Sequence, residues 1–137
     1  MSRYCVISDP VAAFDYINQQ FHLDWTPDLK GLVQTRDGKI IAAAAFTNYT
    51  GSNIFIHVAS DGTRRWLTRH ALHEVFKYPF VTAGCRRITL WIEADNYRSR
   101  GFAMALGFAP EATLKHAGRD GQDVLIYRMF REECRYA

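Results

Sequence analysis

The stretch "RRITLWIEADNYRSRGFAMALGF", Arg86 to Phe108, decides how the rest of the chain reads. Its first part alternates: Ile88, Leu90 and Ile92 point one way and Thr89, Trp91 and Glu93 the other, the two-residue period of a strand. Asn96 then supplies a helix N-cap, and Gly107 supplies the left-handed residue that stops a helix. Between them the spacing predicts a helix from about Tyr97 to Leu106, with Ser99, Phe102, Ala103 and Leu106 on its buried stripe. A strand feeding straight into a capped helix brings the strand's end and the helix's start to one point of the surface. Ligand sites are often built at such a point.

Upstream, the period is helical from Thr63, with Leu67, Ala71, Leu72, Val75 and Phe76 on one stripe, and Pro79 is placed to end or kink that helix. Before it lie "KIIAAAAFTN" and "IFIHVAS", two nearly continuous apolar runs of the kind that form central strands covered on both faces. "LKGLVQT" precedes them through Asp37-Gly38, a tight hairpin signal. At the N-terminus "YCVIS" reads as a strand. Asp9 and Pro10 then cap and start a helix whose Val11, Phe14, Ile17 and Phe21 share a face. At the C-terminal end, "FAPEATL", the turn "GRDGQ" and "DVLIYRMFR" read as an antiparallel hairpin. This order predicts an α/β (α+β) fold with a central mixed, mostly antiparallel sheet of about seven strands and helices on both faces. Parallel pairing is expected only at the strand-helix-strand unit.

A chain of 137 residues is the usual size of one domain, so a single domain over residues 1–137 is expected. With 48% hydrophobic and 14% aromatic residues it can bury a core, which excludes a disordered chain. The longest apolar run, Ile40 to Phe46, is far short of the roughly 20 residues of a membrane span. "MSRYCVISDP" carries no secretory pattern. Cys5, Cys85 and Cys134 are odd in number and widely spaced, which predicts reduced thiols and a cytoplasmic setting. The net charge of +3 suits an anionic ligand or nucleic acid without requiring either.

"EADNYRSRGFAMALGF" resembles the Asn-x-x-Ser/Ala to Leu-Gly-Phe segment of GNAT-superfamily N-acetyltransferases, in particular the branch that acetylates the N-termini of ribosomal proteins. Its flanks, from about Glu74 to Arg135, resemble small phage and prophage members. The resemblance implies the GNAT fold, acetyl-CoA as co-substrate, and direct transfer of an acetyl group to a primary amine in a ternary complex. It implies that the pantetheine arm lies between "IFIHVAS" and "ITLWIEA", against the backbone at Val58 and Ala59. The pyrophosphate would lie over the helix start at Arg64, Arg65, Trp66, Leu67 and Thr68, where free amides and the helix dipole favour anions. Asn96 and Ser99 would meet the CoA from the other helix. His57 or Glu93 would take the amine proton, and the amide near Val58 would polarise the thioester carbonyl. Ser99 would serve the departing thiolate, since Ala103 or Met104 stands where many members carry a tyrosine.

One stretch departs from the family pattern. Where the pyrophosphate loop usually reads Gln/Arg-x-x-Gly-x-Gly/Ala, this chain places Arg64 and Trp66 on the two glycine positions. Either guanidinium groups replace amide contacts with charge-assisted ones, or the chain is a binding module that has lost CoA and meets nucleic acid or a protein. Arg64, Arg65, Arg69, Arg98 and Arg100 would form one basic rim if the two helix starts adjoin. Each site residue also has a plainer reading: His57 as a half-buried histidine on a backbone partner, Ser99 as a small packing residue, Trp66 as packing for the helix start. His70 and His73 stand three apart with no carboxylate or cysteine to join them, so no metal site is expected. The acceptor, including a nucleobase in place of an amine, stays open, as does monomer against homodimer. The choice of acceptor is made in "FHLDWTPDLKG" and the final hairpin, which hold no diagnostic motif.

Overall fold

The fold is described from a computed structural model covering residues 2–137. Its elements are β1 (Tyr4–Ser8), α1 (Pro10–Asn18), β2 (Lys30–Arg36), β3 (Lys39–Thr47), β4 (Asn53–Ser60), α2 (Arg69–Lys77), β5 (Arg87–Glu93), α3 (Tyr97–Leu106), β6 (Ala109–Leu114) and β7 (Val124–Phe130). A π-helical turn, Tyr78–Thr82, follows α2 at the expected proline. The strands form one sheet in the order β1-β2-β3-β4-β5-β7-β6. Among the described residues only β4 and β5 pair in parallel, across the α2 crossover, and the other pairs are antiparallel. This is the mixed sheet the element order predicts.

Each face of the sheet carries helix. Ala13 and Ile17 of α1 pack on Val33, Ala43, Ala45 and Ala59. On the opposite face Phe76 and Ala103, from α2 and α3, pack with Ala44, Phe46, Ile54, Ile56, Ile88 and Met129. The β2–β3 hairpin turns through Asp37 and Gly38 at φ 52° and 82°, the doubly positive backbone that right-twisted strands need. The C-terminal tail closes the α2–α3 face. There the ring of Tyr136 stacks on Phe76 at 4.8 Å, and its hydroxyl donates to the Leu106 carbonyl at 3.0 Å. No helix among the described residues is long and apolar enough to cross a membrane.

Two helices differ from the sequence reading, each for a local reason. In α1 the buried positions are Ala13 and Ile17, while Val11 is 58% exposed and Phe21, beyond the helix end, is 42% exposed. The helix crosses Gly31 so closely that only the methyl of Ala13 fits there, and this turns the larger Val11 outward. A Cβ placed on Gly31 would stand 2.6 Å from Ala13 Cβ and 3.1 Å from Pro10 Cα. Gly31→Ala is therefore expected to lower stability by about 1–3 kcal/mol, the usual cost of overpacking. Urea unfolding checks this as a lower midpoint at unchanged slope.

The second difference is at α2, which starts at Arg69 rather than Thr63, with Thr68 as its N-cap. Asp61 accepts hydrogen bonds from the Thr63 amide at 3.0 Å and the Thr63 hydroxyl at 2.6 Å, and pairs with Arg65 at 2.8 Å. Gly62 sits at φ 89°. This side-chain turn offers the backbone an alternative to helix, so the helical period of the sequence runs ahead of the helix itself.

Candidate active site

Among the described residues β4 and β5 pair in the ladder at three positions only, Asn53 with Arg87, Ile54 with Ile88 and Phe55 with Thr89. Both strands continue, to Ser60 and Glu93, but they separate. From Ile56 onward the β5 side of β4 has no strand neighbour among the described residues, so its edge-facing amides and carbonyls are left for a ligand. A cavity of about 400 Å³ fills the gap. Val58, Trp66, Ser99 and Phe102 line it, as do His57, Trp91, Phe55 and Glu93. Alternation along β4 puts Val58 on the α2–α3 face and His57 on the α1 face, so the cavity reaches both sides of the sheet.

His57 lies opposite Ala45 on β3. Its Nε2 shares a 2.9 Å hydrogen bond with the hydroxyl of Thr47, a buried side chain, rather than with backbone. Burial lowers its pKa to about 4, so the ring is uncharged at neutral pH. Glu93, at the end of β5, is already engaged: Gln122 Nε2 donates to its carboxylate. On α3, Asn96 caps the helix by accepting the Ser99 amide at 3.2 Å, and both residues line the cavity. Ser99, Phe102 and Leu106 are only half-buried because the stripe they form faces this space.

The loop between β4 and α2 separates the expected contacts. Trp66 is 9% exposed and packs on Phe102 at 5.4 Å, with Ile41 and Ala42 beneath it. Its side chain thus points into the fold while still edging the cavity. Thr68 accepts from the Ala71 amide at 3.1 Å, and Leu67 is half-buried. Arg64 and Arg65 are exposed, and Arg65 is tied to Asp61, whose carboxyl is held at about 2 chiefly by its bonds to Thr63. Ala59 turns its side chain into the α1 cluster, away from the cavity.

The first turn of α3 meets the loop before α2 and not the helix start itself, because Arg98 Nη2 donates to the Gly62 carbonyl at 3.0 Å while α2 begins only at Arg69. Arg100, however, leaves the expected rim. It turns inward to donate to the Ala94 carbonyl at 2.8 Å and lies over the Tyr97 ring at 5.1 Å. His73 bonds the Tyr136 carbonyl at 3.0 Å and so belongs to the tail closure. Sequence reasoning missed Thr47 and Gln122, the partners of the two candidate bases, and Gln34 and Arg119, which also line the cavity. Only Gln34 carried a signal, as a lone polar amide inside an apolar strand.

The structure thus presents a parted parallel strand pair with a cavity bordered from both faces of the sheet. The sequence profile of the acetyltransferase (GNAT) family matches residues 3–108, and the chain belongs to that family. In structure it is similar to a protein of Acinetobacter baylyi ADP1 described as an acetyltransferase, at TM-score 0.74 and 15% identity, covering 95% of this chain and 94% of that one. It is similar also to a point mutant of the spermidine N-acetyltransferase SpeG of Vibrio cholerae, at TM-score 0.76 and 14% identity, covering 94% of each chain. No curated protein matches its sequence.

Proposed function

We propose that this protein transfers an acyl group, acetyl in the simplest case, from acyl-CoA to a primary amine by direct attack in a ternary complex. The observation that carries the reading is the separation of β4 from β5 after Phe55 and Thr89, with the cavity it opens. The thioester would enter from the α2–α3 face beside Val58 and Ser99, and the amine from the face of His57 and Trp91. The amine nitrogen forms a bond to the carbonyl carbon and the carbon–sulfur bond breaks. The sulfur leaves as thiolate and takes a proton, and the nitrogen loses one. The thiolate's partner in this reading is the hydroxyl of Ser99, a residue that lines the cavity. His57 and Glu93 are the groups available to the amine proton. We favour His57, because it is uncharged and Glu93 is occupied by Gln122.

The missing glycines count less against CoA than the sequence suggests. Glycine is wanted where a side chain would block phosphate from the backbone, and Trp66 directs its side chain the other way. The amides of Arg64, Trp66, Arg69 and His70 have no hydrogen-bond acceptor among the described residues, which leaves them for pyrophosphate. Arg64, Arg65 and Arg98 would add charge at the same rim.

The acceptor we infer is a monoamine rather than a polycation such as the spermidine of the SpeG enzymes. The ionisable residues lining the cavity are His22, His57, Glu93 and Arg119. A single carboxylate, itself hydrogen-bonded, in a cavity that also carries an arginine is a poor receptor for several ammonium groups. An amino-terminal peptide, as in the ribosomal-protein branch, fits this charge pattern, and transfer would then take place in the cytoplasm.

Calorimetric titration with acetyl-CoA tests the reading, together with thiol release on addition of amines. Saturable binding with amine-dependent release is the expected result. No heat at millimolar acetyl-CoA, alongside nucleic-acid affinity that falls steeply with salt, would replace it with the binding-module reading.

A further inference from the structure

The cavity does not end at the parted strands. On the α2–α3 face it continues sideways under α2, along two rows of paired residues. One row runs Val58, Ala44, Leu32 across β4, β3 and β2, and the next runs Ser60, Ala42, Gln34, Val6 out to β1. Val58, Ala44, Leu32, Ala42, Gln34 and Val6 all border the cavity, and Ala71, Leu72 and Val75 of α2 roof it. The middle strand contributes only methyl groups to this floor, which leaves room that leucine or valine would fill. A thioester of acetate alone has no use for that space.

The far end is marked by a polar group. Gln34 is 5% exposed, and neither its Nε2 nor its Oε1 has a hydrogen-bond partner among the described residues. Buried amides almost always find partners, since an unsatisfied one is costly. Opposite Gln34 and Thr35 the β3 strand carries an extra residue, Ile41, so the ladder beside Gln34 is interrupted. From β4 to Gln34 the distance is two strand spacings, roughly 10 Å.

We propose that this branch holds the acyl chain of the donor, so that the preferred thioester carries a medium-length chain ending in a hydrogen-bonding group that meets the Gln34 carboxamide. The proposal rests on the acyltransfer reading above and names its donor class. The apolar walls take the methylenes, and the carboxamide, able to donate and to accept, takes a terminal hydroxyl or carboxylate. The bond changes at the thioester are those already described, and the distal end of the chain takes no part in them.

Calorimetric titration of the full chain with acetyl-CoA, hexanoyl-CoA and hexanoyl-CoA bearing a terminal hydroxyl tests this. The expected result is that hexanoyl-CoA binds about tenfold or more tighter than acetyl-CoA, as several buried methylenes should give, and that the hydroxylated chain binds tighter still. Gln34→Leu should erase the advantage of the hydroxyl and leave acetyl-CoA unchanged. Ala42→Leu, which fills the floor, should remove the preference for either long chain. Equal or weaker binding of the long thioesters, with acetyl-CoA bound, overturns this inference alone; if no CoA thioester binds, the transfer function falls with it.

Discussion

Trp66→Ala is expected to lower the free energy of unfolding by about 3–5 kcal/mol, the range for removing a large buried aromatic, and to weaken acyl-CoA binding at the same time. The side chain is 9% exposed, in contact with Phe102 on α3 and with Ile41 and Ala42 on β3. It joins the loop after β4 to the middle of α3, and both Trp66 and Phe102 border the cavity. Restoring the family's glycine by Trp66→Gly is expected to do no better, because the position serves packing and not close approach to phosphate. Arg64→Gly, at an exposed side chain, should leave stability within about 0.5 kcal/mol. Urea unfolding and acetyl-CoA titration of the three variants check this. A Trp66→Gly protein that binds CoA more tightly than the parent would show that the tryptophan blocks the loop.

How much of this was legible in the sequence follows from how local each signal is. The strand and helix of Arg86 to Phe108 were readable because period, cap and stop all lie within the segment. The parallel pairing of β4 and β5 followed from the crossover through α2. The stripe of Ser99, Phe102 and Leu106 was readable too, but not that it faces a cavity, which depends on where β4 ends its pairing. The rotation of α1 depends on Gly31, about twenty residues away in the chain. The late start of α2 was hidden because Leu67 keeps the helical spacing although the Asp61 turn unwinds the backbone. The inward turn of Arg100 depends on the Ala94 carbonyl and the Tyr127 hydroxyl, and the partner of Glu93 lies in the final hairpin. Charge counts along a helix report none of these.

The other large effect expected is on pH dependence, and it singles out His57. Its pKa falls from 6.5 in the unfolded chain to about 4 in the fold, so between those values the unfolded state binds more protons. Stability therefore rises with pH across this window, is fully present above about pH 6.5, and is lost as pH falls toward 4. At 1.36 kcal/mol per pKa unit the loss amounts to about 3 kcal/mol. The carboxyls of Asp61, Glu111 and Asp123 are pulled below their ordinary values by hydrogen bonds, so their losses set in only at the acid end of this window, near the ordinary carboxylate values, and leave its upper part to the histidine. His57→Gln keeps a partner for Thr47 and cannot titrate; it should flatten the slope of unfolding free energy between pH 4 and 6.5. The same substitution should slow acyl transfer by about 10²-fold or more if the imidazole takes the amine proton. The acid limb of kcat/KM in the parent would then lie near pH 4 rather than 6.5. A flattened stability slope with unchanged kcat would make His57 a buried structural histidine and pass the proton to Glu93.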